Sequence, residues 1–167
     1  MSGDPKPRPV SPLEKFPDHV RAIGMITIEM GILEAGFVHV LAAILQTSEA
    51  VGAAILFSPK STRARLDIID NVANELLPVP HATLVHNIVK RGLTMLGKRN
   101  EFVHEVWGVS RDRKQVMRIP PPYGEPKAVE LSELTRTLEE IRDLSDEVQR
   151  VRCLLSDPQH RDKNLSD

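Results

Sequence analysis

The sequence has few aromatic residues and a single cysteine. Phe, Trp and Tyr make up 4% of its 167 residues, so the 41% that are hydrophobic consist mainly of Leu, Ile, Val and Ala. This balance favours packed helices over a β-sandwich, because aromatic and β-branched residues are enriched in strands. The single cysteine, Cys153, excludes an internal disulfide framework and a metal site of the CxxC type.

The chain also lacks an excess of either charge. Its 22 Lys and Arg residues and 23 Asp and Glu residues give a formal net charge of −1, so general affinity for nucleic acids is not indicated. Residues 1–17 contain five prolines and no apolar core of a secretory signal. We therefore expect a disordered Pro-rich arm at residues 1–17 and a cytoplasmic protein.

The segment of residues 22–45 is long and apolar enough to span a bilayer, which takes about 20 residues. Glu29 and Glu34 lie within it, and two carboxylates in mid-span are costly. We therefore interpret the segment as a buried helix of a soluble bundle. Small residues along it would let a neighbouring helix approach closely, within one subunit or between two: Gly24, Gly31 and Gly36.

Capping residues and periodic apolar residues divide the first half of the chain into three helices. The first is expected over about residues 18–46. Thr47 or Ser48 can cap a short second helix that stops before Pro59, and Ser61 can cap a third helix.

The second half of the chain is expected to contain two helices separated by a short hairpin. The fourth helix should run from about Ala82 to Val106. The segments VWGV and QVMRI can then pair around the turn SRDRK. The last helix carries apolar residues at steps of three and four from Leu131 to Leu155, with Ser132 as its N-cap.

These elements predict an all-α fold. Short links between long amphipathic helices favour an antiparallel four- to five-helix bundle, with a short hairpin or irregular insert before the last helix. We expect one helical domain over residues 18–156 and a polar tail over residues 157–167.

The fourth helix has an arginine where an apolar residue is expected. With Val85 at 0° and about 100° per residue, Arg99 falls at about 320°, within the apolar stripe. Asn100 and His104 fall on one flank, near 60° and 100°. The stripe itself consists of Ile88, Val89, Met95, Leu96, Val103 and Val106.

Two environments for Arg99 are compatible with this position. Its guanidinium stays protonated, and its burial without a partner is very costly. Arg99 therefore either meets a carboxylate in a structural ion pair or faces a wet cleft that can bind an anion. The carboxylates available for the ion pair are Glu29, Glu34, Asp70 and Glu75.

The charge around Arg99 is uneven. From Lys90 to Arg118 there are eight basic and three acidic residues, a local balance of +5. A basic zone in a nearly neutral chain indicates a polyanion partner such as RNA, although a solvated loop has the same composition. The RNA-binding residues predicted in this zone are Lys98, Arg111, Arg113 and Lys114.

Arg99 and His104 form a minimal set for cleaving RNA without a metal. Histidine can act as general base or acid at the 2′-hydroxyl or the leaving oxygen, and arginine can neutralise charge on the phosphorane oxygens. Asn100 can orient either group or bind a phosphate. A regular helix separates Arg99 and His104 by about 140°, so the helix end or a second subunit must bring them together.

The segment RNEFVH, residues 99–104, resembles the R-x4–6-H motif of HEPN (higher eukaryotes and prokaryotes nucleotide-binding) domains, which are small helical bundles. The polar residue after the arginine and the position late in a long helix are also similar to that family. The resemblance implies a homodimeric, metal-independent endoribonuclease of toxin or defence type. Its catalytic residues would be Arg99, Asn100 and His104.

The resemblance also implies an alternative function. Some HEPN domains are non-catalytic and bind RNA, a nucleotide or a protein. A separately encoded antitoxin or other protein would be a partner in either case, and neither a metal ion nor a cofactor is expected.

Overall fold

The chain folds into five α-helices and one small antiparallel sheet in a computed structural model, which describes residues 12–112, 114–122 and 124–157. The helices are α1 (Pro17–Ile44), α2 (Glu49–Leu56), α3 (Thr62–Leu76), α4 (Val79–His104) and α5 (Leu131–Ser156). The strands are β1 (Val106–Val109), β2 (Val116–Ile119) and β3 (Lys127–Ala128), paired in that order. The predicted helical bundle with a hairpin before the last helix is confirmed.

The predicted arm and tail lie largely outside the described residues, which exclude 1–11 and 158–167. The described end of the arm, Pro12–Lys15, forms a short 3₁₀ helix directly before α1. The third strand, β3, was not predicted, because two residues are too short to give a periodic pattern.

Serine side chains cap α2 and α3, as predicted. The Ser48 hydroxyl accepts a hydrogen bond from the Val51 amide at 3.4 Å, and the Ser61 hydroxyl accepts one from the Ala64 amide at 3.1 Å. These bonds satisfy amides that have no partner within the helix. The prediction that Ser132 caps α5 is wrong, because Glu130 is the N-cap and the helix begins at Leu131.

α4 begins and ends earlier than predicted. It starts at Val79 because Pro80 is tolerated in the first turn, where its missing N–H would have no helical partner. It ends at His104, since Val106 already belongs to β1 and pairs with Ile119 of β2. The hairpin therefore follows directly from the end of α4.

α1 and α5 pack against each other in parallel. Near the start of both helices, His19 Nε2 lies 3.2 Å from the carbonyl oxygen of Val129. Further along, Arg142 Nε donates to Glu29 Oε1 at 2.9 Å. The two helices thus start at the same end of the bundle.

α4 runs antiparallel to α5. Arg91 forms an ion pair with Glu147, and Lys98 forms one with Glu140. The residue that is later in α4 therefore meets the residue that is earlier in α5. The end of α4 and the sheet consequently lie at the end of the bundle where α1 and α5 begin.

One cluster of mainly aliphatic side chains forms the core. It draws residues from all five helices, and its largest fully buried members include Ile26, Leu33, Leu41, Ile69, Ile88, Leu134, Ile141 and Leu144. Within the described ranges, α1 is the one helix long and apolar enough to cross a membrane. Nine of its residues are buried in this core.

Gly92 allows α1 and α3 to approach α4 closely. A Cβ atom at Gly92 would lie 2.8 Å from Phe37 Cζ of α1 and 3.4 Å from Leu66 Cδ1 of α3. Gly97, on the same helix, would have no heavy atom within 4 Å of its Cβ. Substitution of each glycine by alanine therefore distinguishes the effect of packing from that of helix propensity.

We predict that Gly92→Ala is less stable than Gly97→Ala by about 1–3 kcal/mol. Both changes gain the same helix propensity, so overpacking against Phe37 accounts for the difference. Urea denaturation of the two variants measures it, with Gly97→Ala as the matched control. Equal stability of the two variants would contradict the close packing.

Candidate functional site

Arg99 lies near the end of α4, at the edge of the core. Its side chain is half-buried, and Nη1 donates to the side-chain oxygen of Asn100 at 3.1 Å. Across the described ranges, no carboxylate forms an ion pair with it. Among the described residues, the charge of Arg99 is therefore not compensated by an ion pair.

The carboxylates considered as partners of Arg99 lie elsewhere. Three of the four pair with other basic side chains: Glu29 with Arg142, Glu34 with Arg65 and Asp70 with His86. The hypothesis of a structural ion pair at Arg99 has no support in the described part of the chain.

In the last turns of α4, the buried side of the helix is no longer the side that carries Arg99. Phe102 is only 2% exposed, whereas Val103 is 37% and Val106 is 61% exposed. The prediction that both valines belong to the core is therefore wrong. The sheet packs on the Phe102 side of the helix, which lies about 60° from Arg99 around the helix axis. Arg99 and Val103 are therefore at the margin of the buried surface.

The buried cation of this region is Arg118 on β2, which is 8% exposed. Its Nη1 donates to Glu101 Oε2 at 2.7 Å, and its Nε lies 3.0 Å from Glu105 Oε2. The Nε–Glu105 contact is an ion pair without hydrogen-bond geometry, and neither atom has a hydrogen-bond partner elsewhere in the described ranges. The guanidinium also lies 5.3 Å from the centre of the Phe102 ring. Arg118 therefore joins the sheet to the last turn of α4.

The sequence contains a signal for the burial of Arg118. Alternate residues of a strand share a face, so Val116 and Arg118 are expected on the same side of β2. Both are buried, and Arg118 contacts the end of α4. The sequence interpretation considered a structural ion pair for Arg99 and did not predict the buried ion pair of Arg118.

Ion pairs remove part of the basic charge predicted around Arg99. Arg91 and Lys98 pair with α5, and Arg118 pairs with two of the three acids of the zone. Lys98 is therefore a weaker candidate for RNA binding than its sequence position indicates. The basic residues of the zone that have no ion pair among the described residues are Lys90, Arg99, Arg111 and Lys114.

Arg111 and Lys114 are exposed in the turn between β1 and β2, and Arg113 lies outside the described residues. Asp112 in the same turn has its pKa lowered, mainly by a hydrogen bond from Ser110 and also by one from the Lys114 amide. The carboxylate thus organises the turn and leaves its two described basic side chains exposed.

His104 is the last residue of α4, and its side chain is exposed. Because α4 is helical from Arg99 to His104, the two side chains keep the separation of about 140° expected for a regular helix. The end of the helix therefore does not narrow the angle between them. Asn100 bonds to Arg99 and lies between the two around the helix.

Two histidines outside the motif contact acids. His86 Nδ1 lies 3.1 Å and 3.2 Å from the two Asp70 oxygens, and His39 Nε2 lies 3.6 Å from Glu49 Oε2. Within the described ranges, no three or more His, Cys, Asp or Glu side chains are grouped so that they could hold a metal ion. The sequence predicts neither pairing, because each joins residues of different helices.

We predict that Arg118→Met lowers the free energy of unfolding by about 3 kcal/mol, because it leaves the nearly buried Glu105 carboxylate without a cation. Urea denaturation measures the loss. The matched control is Arg91→Met, which breaks a half-exposed pair with Glu147 and should cost less than about 1 kcal/mol.

The combined change Arg118→Met with Glu105→Gln should recover much of the lost stability, since it removes the uncompensated charge. An Arg118→Met variant as stable as the Arg91→Met control would show that the buried ion pair does not hold the sheet.

We predict that Ser110→Ala raises the pKa of Asp112 towards its ordinary value of 3.8, because the principal hydrogen bond to the carboxylate is lost. The folded pKa lies below the unfolded one. The stabilisation of the turn is therefore present above the unfolded pKa and disappears as the pH falls through the folded pKa. A carboxyl NMR titration measures the change, with Ser132→Ala as control. An unchanged Asp112 titration would be evidence against the bond.

Comparison with known proteins does not assign a family to the chain. No family model matches it, and neither a curated protein nor a solved structure does. The resemblance to HEPN domains therefore depends on the motif itself, and the function has to be argued from the geometry around Arg99.

Proposed function

We propose that the protein is a HEPN-like, metal-independent endoribonuclease of toxin or defence type that acts in the cytoplasm. Arg99 would stabilise negative charge on the phosphate, His104 would act as general base or acid, and Asn100 would orient Arg99. The observation that carries the proposal is a half-buried arginine bonded to an amide instead of a carboxylate, five residues before an exposed histidine.

Exposed cations in the hairpin that follows α4 support an RNA substrate. Arg111 and Lys114 project from the turn of the hairpin that follows α4 directly, and neither is paired with an acid in the described ranges. Such cations bind phosphates along a strand without reading its sequence. The two acids nearest to the motif in sequence, Glu101 and Glu105, are engaged by Arg118 and repel an RNA phosphate less.

The angle between Arg99 and His104 favours a site shared by two subunits. Side chains about 140° apart on one helix do not converge on one phosphate. A two-fold axis beside the end of α4 would bring Arg99 of one subunit close to the histidine of the other. We therefore propose a homodimer, and a separately encoded antitoxin would act by covering this cleft.

The proposal predicts cleavage of single-stranded RNA by the purified protein in the presence of EDTA. Arg99→Ala and His104→Ala should each lower the cleavage rate about 100-fold or more, since each removes a catalytic group. Arg91→Ala is the matched control, because this arginine lies on the same helix but pairs with Glu147. Cleavage that survives both motif substitutions would refute the assignment.

Mixing the Arg99→Ala and His104→Ala proteins tests the shared site. If each site takes its arginine and histidine from different subunits, a mixed dimer keeps one intact site. Exchange of subunits then restores roughly a quarter of the wild-type activity. Sites contained within one chain would remain inactive after mixing.

The alternative is a non-catalytic HEPN-like module that binds RNA, a nucleotide or a protein. This alternative is favoured because α4 is helical from Arg99 to His104, so a single chain does not bring the two groups together. Filter binding distinguishes the two functions. The module retains RNA affinity without cleavage, and it loses affinity as salt rises because phosphate contacts release counterions.

A further inference from the structure

The outer face of α1 carries large apolar side chains that are exposed. Ile28 and Ile32 are 57% and 55% exposed, and Val20 is 47% exposed. The solvated face of a surface helix normally carries several charged residues. Between positions 20 and 35, however, the exposed residues include one charged side chain, Arg21. These exposed residues, which form the α1 face, are Val20, Arg21, Gly24, Thr27, Ile28, Gly31, Ile32 and Ala35.

The α1 face points away from the core of the subunit. Ile28 lies nine residues before Phe37 and hence about 180° from it around the helix. Phe37 is 2% exposed and packs against Gly92 of α4. A Cβ atom built at Gly24 or Gly31 would have no heavy atom within 4 Å. The described part of the chain therefore leaves these two positions of the face open.

α2 covers the continuation of this face along α1. Positions 24, 28, 31, 35, 38 and 42 follow one another at steps of four and three, which is the spacing of residues between two packed helices. The last two of these positions contact α2, since a Cβ atom at Gly52 would lie 3.1 Å from Ala42 Cβ and 3.1 Å from the Val38 carbonyl oxygen. The same spacing thus packs a helix at one end of α1 and continues into the open part of the face.

The sizes of the residues along the α1 face are self-complementary about Ile28. Gly24 lies four residues before Ile28, and Ile32 lies four residues after it. If two antiparallel copies were related by a two-fold axis at Ile28, Ile32 of each copy would face Gly24 of the other. Val20 of each copy would likewise come next to the small side chain of Ala35. Each large side chain would therefore meet a small one.

A cavity between α1 and α5 has the chemistry to receive the cation of the face. It has a volume of about 320 Å³, and its apolar lining includes Leu33, Gly36 and Val148. The acid among its lining residues is Asp146, which is exposed. Neither Asp146 nor Arg21 forms an ion pair with another side chain in the described ranges. Both charges are therefore available to a partner.

Arg21 lies on the same side of α1 as this cavity. Ile32 lines the cavity, and the eleven residues from Arg21 to Ile32 correspond to a rotation of about 20° around the helix. A two-fold axis at Ile28, perpendicular to α1, keeps this side and reverses the direction of the helix. Arg21 of one copy then arrives near position 35 of the other, where its methylene groups can pack on the apolar lining while the guanidinium reaches Asp146.

We propose that the α1 face binds a second copy of this chain, with the two α1 helices antiparallel and a two-fold axis at Ile28. Arg21 of each copy pairs with Asp146 of the other, and the two pairs fix the register. The position of α2 selects the antiparallel arrangement. In a parallel pair both α2 helices would occupy the same place, whereas in the antiparallel pair each lies beyond Val20 of the other copy.

The α1 face is separate from the candidate functional site. α4 packs at Phe37, on the opposite side of α1, so the face includes neither Arg99 nor His104. It also differs from the two-fold contact proposed beside the end of α4, and a chain that uses both surfaces forms an assembly larger than a dimer. Loss of the α1 contact and loss of RNA cleavage are therefore separate outcomes.

Cysteine cross-linking of the full chain tests the geometry. Ile28→Cys should form a disulfide between two copies on mild oxidation, because the axis brings position 28 next to itself and a disulfide needs Cα atoms about 4.4–6.8 Å apart. Val20→Cys is the matched control, since its two copies lie about 24 Å apart along the helices. Both variants also carry Cys153→Ser, which removes the exposed native cysteine.

Sedimentation equilibrium measures the strength of the contact. Ile28→Glu should raise its dissociation constant at least about a hundredfold, because two carboxylates would be buried at the axis. Leu76→Glu is the matched control, since this leucine of α3 is 58% exposed and lies outside the face. Arg21→Asp should weaken the contact severalfold, and the further change Asp146→Arg should restore it.

Circular dichroism shows whether each variant is folded. The proposal is overturned if the wild-type protein is monomeric at its highest soluble concentration, or if Ile28→Glu dissociates no more than Leu76→Glu. It is also overturned if Val20→Cys cross-links as readily as Ile28→Cys, which would indicate a parallel pair. A monomer that floats with phosphatidylcholine vesicles and loses this binding in Ile28→Glu would instead assign the face to a membrane.

Discussion

The contact between Arg118 and the last turn of α4 determines how the candidate site is arranged. One buried guanidinium on β2 meets Glu101, Glu105 and the ring of Phe102. A charge that is buried this deeply has to be paired, so the strand cannot leave the helix without separating the Arg118 guanidinium from the nearly buried Glu105 carboxylate. Arg99 and His104, to which we assign the proposed chemistry, lie on the same turns of α4.

The same contact changes the electrostatics of the surface. Glu101 and Glu105 would otherwise oppose the basic side chains of the motif and the hairpin. Because Arg118 pairs with both acids, the basic residues of this zone that keep an uncompensated charge in the described ranges are Lys90, Arg99, Arg111 and Lys114. A structural ion pair on one side of a helix end can in this way increase the effective positive charge on its other side.

The sequence predicted the helices and the hairpin well, because periodic apolar residues and capping serines act locally. Ser48 and Ser61 are examples of such local signals, and β1 and β2 pair as expected. The environment of Arg99 could not be predicted, since it depends on where the sheet packs. The prediction that Val103 and Val106 are buried requires the same side of α4 to be covered along its whole length. In the structure, the sheet instead covers the side that carries Phe102.

The parallel arrangement of α1 and α5 separates the two ends of the described chain. Pro12 lies at the end of the bundle that carries the sheet, and Asp157 lies at the other, about 39 Å away along the 26 residues of α5. A protein fused at the N-terminus would therefore connect to the end of the bundle that carries the sheet, and one fused at the C-terminus would connect to the opposite end. The choice of fusion terminus thus selects which end of the bundle is left open.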